Sequence, residues 1–219
     1  MDLPVVIGID RAGLVGEDGD THHGVFDISI LRSLPNMILS QPKDSIELQQ
    51  LLAAAFSQNH PFAIRYPRGA APYCELEEIE PVQIGTWTIA YEAEHVKACI
   101  MTYGPDVDRI CAKVKSNNLP VRIINARFFK PLDESMLHQL ASEKLPVIIY
   151  ETDMKAGGLS SAVLEWCADH HQFIHIERLG IGDHYVAQGS SNQLRKQEKI
   201  DIHSVCEKCL ELLERESSC

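Results

Sequence analysis

The chain has 219 residues, of which 20 are basic and 31 acidic, for a formal charge of −11. The basic residues are scattered rather than gathered into the footprint of a nucleic-acid binder, and no apolar run reaches the ~18 residues that span a bilayer. Neither nucleic acid nor membrane is therefore expected as a partner. Seven cysteines, odd in number and irregular in spacing, fit a reducing cytoplasm better than a secreted disulfide framework.

In chain order, VVIGI (5–9) reads as a strand buried on both faces. The N-terminus carries no basic n-region and no long apolar core, so no signal peptide is expected. Because the chain opens directly on this strand, we expect further sequence upstream. A glycine-rich loop runs to Gly24, FDISILRSL (26–34) has helical spacing, and MILS (37–40) reads as a second strand. Asp44 or Ser45 caps a helix through Phe56, with Glu47 near the N3 position. FAIRYPRG (62–69) is a third strand, stopped by Pro67 and Gly69.

Residues 70–81, acidic and proline-bounded, read as a linker. A second α/β pattern follows, with strands at 85–92, 97–104, 121–125, 146–151 and 173–177. Its helices are expected over 106–116, from an Asp133 cap to about Ala141, from Gly157-Gly158 through Ala168, near 191–196 and over 201–215. This alternation predicts a mostly parallel sheet covered on both faces, and we expect the second region to pack independently. The first region, with three strands and two helices, makes only half of a doubly wound domain. Its unpaired sheet edge predicts self-association.

The stretch GEDGDTHHG (16–24) places three carboxylates and two imidazoles between glycines. A solvated turn explains that composition. It lacks the acidic series of a calcium loop, and two adjacent histidines do not readily chelate one zinc ion. A functional loop is the alternative, because α/β folds place ligand sites at strand C-termini. Arg11 lies at the carboxyl end of the first strand, and Arg68 just beyond the third. If these strands are parallel neighbours, both arginines emerge on one rim, where guanidinium forks suit a phosphate. His22 is suited to moving protons, and Asp18 to gripping hydroxyl groups.

IDRAGLVGEDGDTHHGVFDISILRSLPNM, followed by IRYPRG, closely resembles the 1-deoxy-D-xylulose-5-phosphate synthase family, thiamine diphosphate enzymes related to transketolase. NARFFKPLDE (125–134), ETDMKAGGLSSAVLEW (151–166) and GDHYVAQGS (182–190) agree with it. The resemblance covers essentially the whole chain and is most specific in the first 70 residues. It implies an α/β fold in which residues 1–72 form the C-terminal half of a pyrimidine-binding domain. By the same resemblance, 73–81 is a linker and 82–219 a transketolase-type C-terminal domain.

The implied activity is condensation of pyruvate with glyceraldehyde 3-phosphate, with loss of carbon dioxide, by a cytoplasmic homodimer that feeds isoprenoid and thiamine precursors. His22 matches the family's active-site histidine and Asp18 the aspartate that bonds substrate hydroxyls, while Arg11 and Arg68 match the arginines that hold the substrate phosphate. The intact family enzyme uses thiamine diphosphate and Mg2+. Its activating glutamate and its diphosphate-binding domain lie upstream of the matching region, so this chain alone is expected to bind neither cofactor nor metal and to be inactive. Alternatives are a transketolase or 2-oxoacid dehydrogenase component, or a non-catalytic dimerisation or scaffold module. KQEKID (196–201) departs from the family, which places a glycine-containing turn there.

Other residues have simpler expectations. His23 is expected to face away from the pocket, and Arg65, inside a strand, to form a structural ion pair. His170 and His171 meet a helix carboxyl end. Gly157-Gly158 either cradles a phosphate or makes a close strand-to-helix turn, the latter being favoured. Trp87 and Trp166 read as packing or interface anchors. Cys206 and Cys209, a CxxC on a helix, read as core or surface thiols.

Overall fold

The computed structural model describes residues 2–216. The first region supplies β1 (Val6–Ile9), α1 (Asp27–Leu31), β2 (Ile38–Ser40), α2 (Ser45–Phe56) and β3 (Phe62–Arg65). β1 and β2 flank β3, and both run parallel to it. All four residues of β3 are buried, as a central strand covered on both faces requires. Asp44 caps α2 by accepting from the Glu47 amide at 2.8 Å.

The second region supplies β4 (Thr88–Glu92), β5 (Ala98–Thr102), α3 (Asp106–Ser116), β6 (Val121–Asn125), β7 (Phe128–Lys130) and α4 (Glu134–Glu143). It continues through β8 (Val147–Met154), α5 (Leu159–Asp169), β9 (Ile176–Ile181), α6 (Ser191–Gln197) and α7 (Ile202–Glu216). Its five-stranded sheet has the order β4-β6-β5-β8-β9. Only β4 is antiparallel to its neighbour. The mostly parallel sheet expected from the alternation is therefore present.

Independent packing is not. β7 leaves its own region and joins the first sheet antiparallel to β2, giving the order β1-β3-β2-β7. One of two apolar cores among the described residues then runs through both regions, from Ile28, Leu39 and Phe62 to Cys99, Phe129 and Val163. The linker is fastened as well: Ser45 donates to the Pro72 carbonyl at 2.6 Å and Gln49 to that of Cys74 at 2.8 Å. β1 keeps one open edge, as the half-domain pattern implied.

Several element bounds differ from expectation: the strands expected over 62–69, 85–92 and 97–104 shorten to Phe62–Arg65, Thr88–Glu92 and Ala98–Thr102. α1 stops at Leu31 rather than Leu34, because Pro35 disfavours helical backbone before it. β8 runs on to Met154, its acidic residues buried. The last strand is Ile176–Ile181, not 173–177. It is a half-buried edge strand, and its ERLG run masks the periodicity.

The deepest polar contact joins the regions. Arg65, fully buried, pairs with Asp153 of β8 at 2.6 and 3.0 Å. It also donates to the Gly24 carbonyl at 2.8 Å and approaches Asp27 at 3.4 Å. Tyr103 donates to the same Asp153 at 2.5 Å, and burial beside these carboxylates pushes its hydroxyl pKa well above the usual value. Arg65 is thus a structural ion-pair residue. Asp153→Ala leaves a buried guanidinium without its main partner and is expected to cost about 3–5 kcal/mol. Urea unfolding checks this through a lowered midpoint at unchanged m value.

Candidate functional site

Loop 13–24 leaves the carboxyl rim of the first sheet through a closed stem. Gly13 and Gly24 exchange both backbone hydrogen bonds, at 2.8 and 3.0 Å. A Cβ on Gly24 would stand 2.2 Å from the Arg11 carbonyl oxygen, so only glycine fits there. Two 3-10 turns, Gly16–Asp18 and Asp20–His22, form the tip.

Arg11, Arg68 and Asp18 come together. Arg11 sits at the end of β1 in left-handed backbone, with φ of 65°, a conformation that non-glycine residues hold at a cost. Its Nη1 lies 3.2 Å from Asp18 Oδ2, and Arg68, reaching over from the end of β3, hydrogen-bonds Asp18 Oδ1. Parallel neighbours β1 and β3 thus deliver both arginines to one rim. The arginines are not free, however: a carboxylate of the protein bridges them. The Arg68 hydrogen bond, with help from Arg11, holds Asp18 below the usual carboxylate range. Asp18 Oδ2 is buried against Arg11, whose 3.2 Å approach is an ion pair without hydrogen-bond geometry.

His22 is exposed on the same tip. Its Nδ1 meets Thr21 Oγ1 at 2.9 Å, which makes Nε2 the nitrogen available to a ligand. His23 points the other way and is buried. Among the described residues, no group of three or more His, Cys, Asp or Glu side chains is placed to hold a metal ion. Nor is any helix among them long and apolar enough to cross a membrane.

The glycine pair before α5 is a turn and not an anion cradle. Glu151, buried in β8, accepts from the Leu159 and Ser160 amides at 2.6 and 3.0 Å and from Ser160 Oγ at 2.5 Å. The protein's own carboxylate therefore fills the place an anion would take at this helix N-terminus. A Cβ on Gly158 would lie 2.3 Å from Glu151 Oε2. Neither Asp153 nor Glu151 stands out in the reading of composition. The signal available was the run ETD inside an otherwise apolar strand, since buried charge demands partners.

The remaining expectations resolve locally. His170 stacks on Trp166 at 4.6 Å between ring centroids, and its Nδ1 meets the Trp166 carbonyl at 3.0 Å. Trp87 is buried and donates to the Phe128 carbonyl at 2.9 Å. Cys206 and Cys209 are free and buried. Lys199 adopts φ of 55°, left-handed backbone that glycine would hold at the least cost.

Two α/β units in tandem, the first with a charged loop on its carboxyl rim locked against the second, define a composite class of two-sheet protein. The pyrimidine-binding domain of transketolase matches residues 1–72, and the transketolase C-terminal domain matches residues 88–205. The chain belongs to the transketolase family. It is similar to the 1-deoxy-D-xylulose-5-phosphate synthase of Listeria monocytogenes, at 41% identity over 96% of this chain and 35% of that protein. The Aquifex aeolicus synthase is also 41% identical, over 93% of this chain and 33% of its own length. The chain thus spans about a third of the length of the curated relatives it matches.

In fold it resembles a split-gene transketolase solved as an inactive beta4 tetramer, with a TM-score of 0.81, 23% identity and coverage of 97% of this chain and 68% of that one. The Leishmania mexicana transketolase gives a TM-score of 0.71 at 21% identity, covering 97% and 30%. At these identities the likeness is one of fold.

Burial pushes Glu151 up to about 7, against the three hydrogen bonds that pull it down. A carboxyl raised in the folded state gives full stability below its unfolded value near 4.5 and loses it as pH rises towards 7. The loss is on the order of 3 kcal/mol. Urea unfolding at pH 5 and 7.5 should show that decline, and Glu151→Gln should abolish it.

Proposed function

We propose that the chain is the acceptor-binding and C-terminal portion of a 1-deoxy-D-xylulose-5-phosphate synthase, which condenses pyruvate with glyceraldehyde 3-phosphate and releases carbon dioxide. The observation that carries this reading is the convergence of Arg11 and Arg68 on Asp18 at one rim, beside His22. Two guanidinium groups there suit the phosphate of the aldehyde. Asp18, paired with Arg11 through Oδ2 and with Arg68 through Oδ1, accepts from a substrate hydroxyl once the arginines turn to the phosphate. His22 holds or moves a proton at the reacting oxygen through Nε2.

Thiamine diphosphate, when bound, supplies the carbanion chemistry that no side chain of this chain provides. The cofactor and its magnesium belong to the family's chemistry and not to the roles proposed for Arg11, Arg68, Asp18 and His22. What this chain contributes is placement of the acceptor, which positions a reactant without creating the nucleophile. A homodimeric cytoplasmic enzyme is part of the same proposal. Transketolase itself is the competing reading, and acceptor preference separates the two.

The test is a coupled assay of deoxyxylulose phosphate formation. The isolated chain is expected to give no product, while a longer protein, in which it is joined to the remaining part of the Listeria monocytogenes synthase, turns over; activity in the isolated chain would overturn the assignment. In the longer protein, Arg11→Ala or Arg68→Ala should mainly raise KM for the phosphorylated aldehyde, at a cost on the order of 1.5–3 kcal/mol. His22→Ala should instead lower kcat by roughly 10²–10⁴-fold. A His22→Ala enzyme with undiminished kcat removes the proton role.

A further inference from the structure

We propose that His23 is the positioning residue of the loop, a tautomer-locked clamp that holds the tip bearing Asp18 and His22 against the second region. Its importance to turnover rests on the function proposed above; the clamp itself rests on geometry alone. The Val15 amide lies 3.2 Å from His23 Nδ1. An amide can only donate, so Nδ1 must be the unprotonated nitrogen. That leaves the proton on Nε2, which donates to the Ala187 carbonyl at 3.3 Å. One neutral ring therefore ties the start of the loop to a segment 164 residues away.

Neighbouring contacts show that loop and segment are built for each other. Gln188 donates to the Glu17 carbonyl at 2.9 Å, and Ser191 to that of Leu14 at 3.4 Å. The Gly189 amide faces the Gly16 carbonyl at 3.5 Å. Gly16 has φ of 63°, and a Cβ there would meet Ser191 N at 2.8 Å and Gly189 O at 2.9 Å. No side chain fits between the surfaces. His23 is the imidazole that the mechanism does not use, adjacent in sequence to the one that it does, and it is 7% exposed where His22 is open to solvent. The pair divides the labour: one ring fixes the loop and the other faces the ligand.

Two substitutions separate the two bonds. Asparagine places an acceptor near the Nδ1 position and does not reach Ala187. Glutamine places a donor near the Nε2 position and offers nothing to Val15. Phenylalanine keeps the volume and removes both. Amide exchange in the 219-residue chain, followed by NMR, reads the loop at Val15, Gly19 and His22 and the core at Ile148 and Ile149.

His23→Phe should speed exchange at the loop amides about fivefold or more while the core amides keep their rates. His23→Asn should restore protection at Val15, and His23→Gln should not. The ring nitrogens of His23 in the unaltered chain should show the Nε2–H form at neutral pH. Loop amides unchanged in His23→Phe would overturn the clamp, as would equal acceleration of loop and core, the mark of a merely structural residue. Titration with inorganic phosphate, followed at Arg11 and Arg68, addresses the functional reading separately. No phosphate response in the unaltered chain counts against the acceptor site and leaves the clamp to be decided by exchange.

Discussion

One buried guanidinium sets the terms for the rest of the molecule. Arg65 lies at the end of the central strand of the first sheet, yet its principal partner, Asp153, belongs to the second. An ion buried this deeply is tolerable only when its partners satisfy it. Those partners are the strand β8, the stem of the charged loop at Gly24 and the start of α1 at Asp27. The two sheets, the loop and the helix after it must therefore adopt a single relative arrangement. Asp27 pays part of the cost, because burial raises its pKa despite the arginine beside it.

That arrangement explains how a loop rich in polar residues is both ordered and open. Its stem is closed by paired glycines, its flank rests on residues 187–191, and its tip keeps Asp18 and His22 at the rim. Rigid support with an exposed end is what a positioning site requires. The bridge from both arginines to Asp18 has a second effect. The carboxylate offsets one of the two arginine charges, so the rim keeps a local positive charge in a chain whose formal charge is −11. A phosphate bound by these arginines would have to displace that internal partner, so its affinity would be the difference between two ion pairs.

Much of this was legible in the sequence. The α2 cap and the bounds of α3 and β6 follow from local chemistry, because Asp44, the 106–116 pattern and VRIIN each carry their own signal. The meeting of Arg11 and Arg68 followed from parallel strands alone. What escaped was non-local. β7 has only three residues and ends at Pro131, too short for a period to register, and its hydrogen-bond partner lies some ninety residues earlier in the chain. Asp153 and Glu151 could be recognised as needing partners, but nothing in the sequence said that one would meet Arg65 and the other a helix end. The clamp by His23 depends on Ala187, which has no distinctive side chain, since its backbone carbonyl makes the contact.

The excursion of β7 has a consequence for the chain as a covalent object. Its strand hydrogen bonds, and the apolar core behind it, cross the boundary between the two regions. A peptide bond cut in the acidic stretch 73–81 would break the connection without freeing either piece, because neither could leave without stripping a strand from a sheet. The linker is therefore a convenience of synthesis rather than a hinge, and a nicked molecule would migrate as one particle until denatured.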